Sequence, residues 1–118
     1  VIDARAHLET AVWGGVMTRA AIQQNIGGVV IDGAIRDAAE IRELGFPTFT
    51  AGIVPAGPSK GFGGIIDGII SCGECPVVSG DLIIGDDDGV AVVRYKLQSP
   101  PDKTCPMLPV DLRRRFDL

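Results

Sequence analysis

The chain has 118 residues, with 11 basic and 15 acidic side chains and a net charge of −4. That length suits one domain that can bury a core unaided. At 46% hydrophobic and 22% charged it is neither disordered nor fibrous, and no apolar run approaches the ~18–20 residues of a membrane helix, so no membrane partner is expected.

Val1-Ile2-Asp3 reads as the end of a strand whose beginning is absent. The start, without an initiator Met or a signal pattern, reads as that of a fragment. Gly14-Gly15 then precede Val16 to Asn25, rich in helix formers. Val16 with Ala20, and Met17 with Ala21, stand four apart, which predicts an amphipathic helix ended by Asn25 and Gly27-Gly28. Val29-Val30-Ile31-Asp32, set between glycines, has the uniform hydrophobicity of a strand buried on both faces of a parallel sheet. Arg36 to Leu44 is a second expected helix, closed by Gly45 with Pro47 behind it. Thr48-Phe49-Thr50 is the next strand. Helices alternating with buried strands make βαβ units, hence an α/β fold.

The second half reads differently. Ala51 to Gly64 is a Gly/Pro loop. Short strands are expected at Ile65-Ile66, Gly68-Ile69-Ile70, Pro76-Val77-Val78, Asp81 to Ile84 and Gly89 to Val93. Asp86-Asp87-Asp88-Gly89 turns the last pair into a hairpin, Asp-Gly supplying positive φ. A calcium loop would need a glutamate at its twelfth position, and none is present. Residues 1–95 thus form the folded unit and 96–118 a Pro-rich, basic tail. Its Arg113-Arg114-Arg115 reads as solvated rather than as an RNA patch. Because the first 93 residues hold twelve acidic and five basic side chains, no direct nucleic-acid partner is expected.

Cys72, Cys75 and Cys105, an odd set without a secretion signal, suit a reducing compartment, and a cytoplasmic location is expected. Cys72-Gly-Glu-Cys75 has the spacing of half a zinc site. Only Cys105 and His7 remain to complete four ligands, so small apolar residues beside a strand is the preferred reading.

Two loops are candidates for chemistry. Trp13-Gly14-Gly15-Val16-Met17 opens onto a helix start, where free N–H groups and the positive dipole end make an anion site. A plain strand-to-helix turn explains the same residues. Gly33-Ala34-Ile35-Arg36-Asp37 follows the buried strand, where ligands gather in open α/β sheets. Arg36 offers a planar fork for a carboxylate and Asp37 a hard oxygen for Mg²⁺ or Mn²⁺. A helix-start charge pair is the alternative, and spacing alone does not separate the two. His7 is expected in a solvent-facing loop and Lys60 on a surface loop. Asp32 is expected to order the Gly33 turn or support Arg36, and Trp13 to pack the loop base.

Trp13-Gly14-Gly15-Val16-Met17-Thr18-Arg19-Ala20, followed by Val29-Val30-Ile31-Asp32-Gly33-Ala34-Ile35-Arg36-Asp37-Ala38-Ala39-Glu40-Ile41, closely resembles the RraA-like family. The likeness continues through Pro55 to Lys60 and Pro76 to Val90, and covers residues 1–95. That family includes the regulator of ribonuclease E activity A and class II 4-hydroxy-4-methyl-2-oxoglutarate aldolases. Some members have been labelled menaquinone methyltransferases, but no site for S-adenosylmethionine is evident. The resemblance implies a swivelling β/β/α domain, here lacking part of its N-terminal region, and a homotrimer or hexamer with sites between subunits.

The resemblance further implies a divalent-metal-dependent lyase that cleaves or decarboxylates a 2-oxo di- or tricarboxylic acid to pyruvate. Arg36 would be catalytic and substrate-binding, Asp37 the metal ligand, and Gly14, Gly15, Val16 and Met17 the loop that binds the pyruvoyl carboxylate. Glu40 would support the metal shell. Many aldolase members carry an acidic residue where this chain has Gly15, so the resemblance assigns no general acid or base here. The rival reading is a non-catalytic oligomeric regulator that binds a ribonuclease.

Overall fold

A computed structural model describes residues 1–61 and 63–94. The expectations for the basic tail, 96–118, and for Cys105 lie outside the described residues. Nine elements follow in chain order: β1 (Ile2–Trp13), α1 (Gly15–Gln23), β2 (Val29–Ile35), α2 (Ala38–Glu43), β3 (Thr48–Ile53), β4 (Ile70–Cys72), β5 (Cys75–Val77), β6 (Leu82–Asp86) and β7 (Gly89–Val93). Strands β1, β2 and β3 form a parallel sheet with β2 in the middle, while β4–β5 and β6–β7 are antiparallel pairs.

The apolar run from Val29 to Ile35 is central because only that place buries both of its faces. Strand alternation then divides it between two cores. Val29, Ile31 and Ile35 pack with Trp13, Ala21, Ile41 and Phe46 on the helix side. Val30 packs with Phe49, Cys72, Cys75, Val77, Val90 and Val92 on the hairpin side. Ile31 and Ile35 are completely buried, each contributing roughly 1.5–3 kcal/mol of burial.

The structure departs from the expected elements at four places. The N-terminal strand does not end at Asp3 but runs to Trp13, with irregular register. Asp3 pairs with Asp32, His7 with Gly33, Ala11 with Ala34 and Trp13 with Ile35, so β1 makes three excursions while β2 advances by single residues. The first excursion turns through Arg5 and Ala6, at φ 54° and 56°. His7 therefore lies within a strand; it is exposed, with Nε2 3.0 Å from Thr10 Oγ1.

Helix α1 buries Gly15, Thr18 and Ala21 and leaves Val16 79% exposed and Met17 45% exposed. Small residues face the sheet, so the larger apolar pair lies on the outer flank. Helix α2 starts at Ala38 because Asp37 adopts a left-handed backbone, φ 58° and ψ 35°. Ile65, Ile66 and Ile69 are exposed and belong to no strand, β4 beginning at Ile70 opposite Val77. The last hairpin forms as expected, with Asp86 paired to Gly89 around Asp87-Asp88 and a positive φ of 141° at Gly89.

Candidate functional site

The site lies beyond the carboxyl ends of β1 and β2, where the sheet delivers two loops side by side. Trp13 O accepts the Arg36 N–H at 2.9 Å, and Ile35 O accepts the Val54 N–H at 2.9 Å. The chain after β3 folds back, so that Ala56 O accepts the Ala11 N–H at 2.8 Å. These backbone bonds bring Gly14-Gly15, Arg36-Asp37 and Gly57 together.

The left-handed turn at Asp37 aims its carboxylate back at α1. Aspartate is among the few residues that adopt this conformation readily. Its Oδ2 accepts the Gly15 N–H at 3.0 Å and lies 3.7 Å from Arg36 Nε. Both charged side chains are nearly half exposed, so water screens their attraction and leaves the guanidinium accessible to a ligand.

Glycines make this approach possible. A Cβ on Gly14 would stand 2.7 Å from Asp37 Oδ2 and 3.1 Å from Arg36 Cγ. A Cβ on Gly57 would stand 2.8 Å from Arg36 Nη1. A Cβ on Gly15 would run into the Glu40 carboxylate. Glu40 Oε1 is buried and accepts no hydrogen bond, although Arg19 Nη2 lies 2.9 Å away. The guanidinium is close enough for ion pairing, but its N–H bonds are not aimed at that oxygen.

Two carboxylates, Asp37 and Glu40, thus flank one glycine step beside one guanidinium. Among the described residues, no three His, Cys, Asp or Glu side chains converge as a metal cage. A hydrated Mg²⁺ or Mn²⁺ needs less, commonly one or two carboxylates with water and substrate completing the shell. The Asp37 carboxylate and the Glu40 carboxylate, which fills the space beside Gly15, are the oxygens that would hold such an ion.

Of the sequence-derived site residues, Gly14, Gly15, Arg36 and Asp37 are brought together. The Gly15 N–H is held by Asp37. Val16 and Met17 precede the first intrahelical bond, Thr18 N–H to Gly14 O at 3.0 Å, so their amides lack helical acceptors. Lys60 is exposed. Asp32 neither orders the Gly33 turn nor reaches Arg36. Its Oδ2 accepts the Gly73 N–H at 2.9 Å and ties the β4–β5 hairpin to the sheet. Cys72 and Cys75 face each other across that hairpin, both buried. Cys72 is a free thiol beside a strand, as expected, whereas Cys75 is disulfide-bonded and so is not the plain apolar residue the sequence suggested. Burial, with the Asp32 carboxylate adding to it, pushes the Cys72 thiol up from 9.0 to about 11.

Trp13 packs the loop base, stacked on Phe46 with ring centroids 6.4 Å apart. Sequence reasoning gave no role to Thr18 or Gly57. Thr18 is wholly buried, and its place four residues after Gly14 was a usable signal, since Thr commonly bonds the carbonyl four residues back. The closeness of Gly57 to Arg36 depends on the loop's return, which no local pattern encodes.

Comparison with known proteins identifies the fold and the family. The RraA-like family (Aldolase/RraA) matches residues 1–92. A Halalkalibacterium halodurans protein named "Putative 4-hydroxy-4-methyl-2-oxoglutarate aldolase" is 43% identical over 93 residues, covering 79% of this chain and 44% of that protein. The chain therefore spans less than half the length of this curated relative. Among solved structures, the RNA-processing inhibitor RraA of Thermus thermophilis superposes with a TM-score of 0.72 at 28% identity, over 82% of this chain and 61% of that one. A Geobacillus kaustophilus structure titled as an S-adenosylmethionine:2-dimethylmenaquinone methyltransferase gives 0.76 at 28% identity, over 81% and 60%. Among the described residues, no helix is long and apolar enough to cross a membrane. With an RraA-like α/β fold and a family match along most of its length, the chain belongs to the RraA-like family.

Proposed function

We propose that this chain contributes the site of a divalent-metal-dependent carbon–carbon lyase that releases pyruvate from a 2-oxo di- or tricarboxylic acid. The observation that carries the reading is the Gly15 N–H to Asp37 Oδ2 bond, with Arg36 beside it at the end of a buried strand. Retro-aldol cleavage and oxaloacetate decarboxylation share one demand. The electrons of the breaking C–C bond flow into the 2-oxo group and leave an enolate, which then takes a proton at carbon.

Arg36 answers the charge: its half-exposed guanidinium binds the substrate carboxylate and 2-oxo oxygen, and strengthens its hold as that oxygen becomes anionic. The amides of Val16 and Met17 bind the carboxylate at the helix start. Asp37 holds the cation, which when bound supplies Lewis-acid polarisation of the 2-oxo group. Glu40 places a second carboxylate at the Gly15 step, able to accept or return a proton through Oε1. A cytoplasmic homotrimer or hexamer is part of the same proposal, and the exposed Val16 and Met17 side chains beside the site give it support.

A non-catalytic regulator that binds a ribonuclease is the second reading, favoured by the likeness to the Thermus RNA-processing inhibitor. Thermal unfolding with Mg²⁺ or Mn²⁺ against EDTA separates the two. The lyase reading expects a cation-dependent rise in Tm that Asp37→Ala abolishes. No rise in the wild-type protein contradicts it and favours the regulator.

A further inference from the structure

The Gly14–Gly15 peptide is held at both ends. Its N–H points to Asp37 Oδ2 at 3.0 Å. Its carbonyl, Gly14 O, accepts both the Thr18 N–H and the Thr18 hydroxyl, each at 3.0 Å. The same hydroxyl oxygen accepts the Trp13 indole N–H at 2.8 Å, and Trp13 O accepts the Arg36 N–H. A peptide between two glycines has no Cβ to restrict its rotation, so the hydrogen bonds at its two ends fix its orientation.

Resting on the lyase reading above, we propose that Thr18 is a positioning residue for that site. Its hydroxyl, clamped between Trp13 and Gly14, locks the Gly14–Gly15 peptide with its N–H toward Asp37. A buried indole N–H needs an acceptor, and that need alone accounts for the Trp13 bond. It does not account for the hydroxyl proton going to Gly14 O, the far end of the peptide that orients Asp37. The chain Trp13, Thr18, Gly14–Gly15, Asp37 therefore joins the β1 loop to the β2 loop through one buried hydroxyl, and Trp13 anchors Arg36 from its own carbonyl. Thr18 touches no substrate. It sets the direction of the carboxylate that does the work.

The test compares wild type, Thr18→Val, which keeps the shape without the hydroxyl, and Thr18→Ser, which restores it. Metal-dependent pyruvate release from oxaloacetate and the amide exchange of Gly15, read against Ile31 in the core, are followed together. The expected result for Thr18→Val is a kcat about tenfold lower with KM nearly unchanged, and Gly15 exchange at least about tenfold faster while Ile31 stays protected. Thr18→Ser is expected to recover both. Equal Gly15 protection in Thr18→Val, equal acceleration at Gly15 and Ile31, or no recovery in Thr18→Ser overturns the proposal. If the wild-type protein shows no turnover, the lyase reading fails, and the Gly15 exchange pattern alone still decides whether Thr18 locks the peptide.

Discussion

The Glu40 carboxylate occupies the space that a side chain on residue 15 would need, so Gly15 and Glu40 are complementary. The intruding group is the far end of a flexible side chain, not backbone. Gly15→Ala is therefore expected to leave stability within about 1 kcal/mol, alanine's higher helix propensity offsetting the displacement. The same change should expel Glu40 from the site and lower kcat to the level of Glu40→Ala. Urea unfolding and steady-state kinetics on both variants and their double mutant check this. An additive double mutant would show that the two residues do not share one space.

Gly57 makes a parallel case on the other loop. A methyl group there would stand 2.8 Å from Arg36 Nη1 and push the guanidinium off its line to the substrate. Gly57→Ala is expected to raise KM for the 2-oxo acid about tenfold, the order of one lost charge-assisted hydrogen bond, with little change in Tm. An unchanged KM would place Arg36 away from the substrate.

The two halves of the fold differed in how far the sequence disclosed them. The βαβ unit was legible because Val29 to Ile35 is apolar throughout and its helices are bounded by Gly and Pro. The pairing of Gly14-Gly15 with Arg36-Asp37 was implied by the family resemblance and not by spacing, since the strand ahead of Gly14 read as ending at Asp3. The strand character of Ala4 to Glu9 stood in the sequence and went unread: Ala4, Ala6 and Leu8 alternate with Arg5, His7 and Glu9, the two-residue period of a half-buried strand. The Ile65 to Ile69 run misled in the opposite sense, since hydrophobicity there carries no information about whether a partner strand exists. The Asp32–Gly73 contact spans 41 residues, a separation that no local pattern reaches.

Arg5 and Ala6 take consecutive left-handed conformations, at φ 54° and 56°. Side chains with a Cβ pay for this in steric energy, about 1 kcal/mol per residue or somewhat more. Ala6→Gly is expected to raise stability by roughly 0.5–1 kcal/mol, the relief exceeding glycine's entropic cost. Chemical unfolding measures it, and a loss of stability would show that Ala6 does not adopt this turn.

Cys72 gives a pH dependence with a definite sign. Burial, with help from Asp32, raises the thiol from 9.0 to about 11, so the folded state holds the proton more tightly than the unfolded chain. Its contribution is fully present below pH 9 and is lost as pH rises toward 11, over a range of up to about 2–3 kcal/mol. Urea midpoints should fall across that window in the wild-type protein and fall less in Cys72→Ala. Equal slopes would contradict the buried thiol.

Pyruvate release from oxaloacetate and from 4-hydroxy-4-methyl-2-oxoglutarate, with Mg²⁺ or with EDTA and beside Arg36→Ala, tests the central claim most directly. Metal-dependent turnover that falls by about a hundredfold or more in Arg36→Ala is the predicted result. A folded wild-type protein that releases no pyruvate from either substrate, or turnover unaffected by losing Arg36, would contradict it.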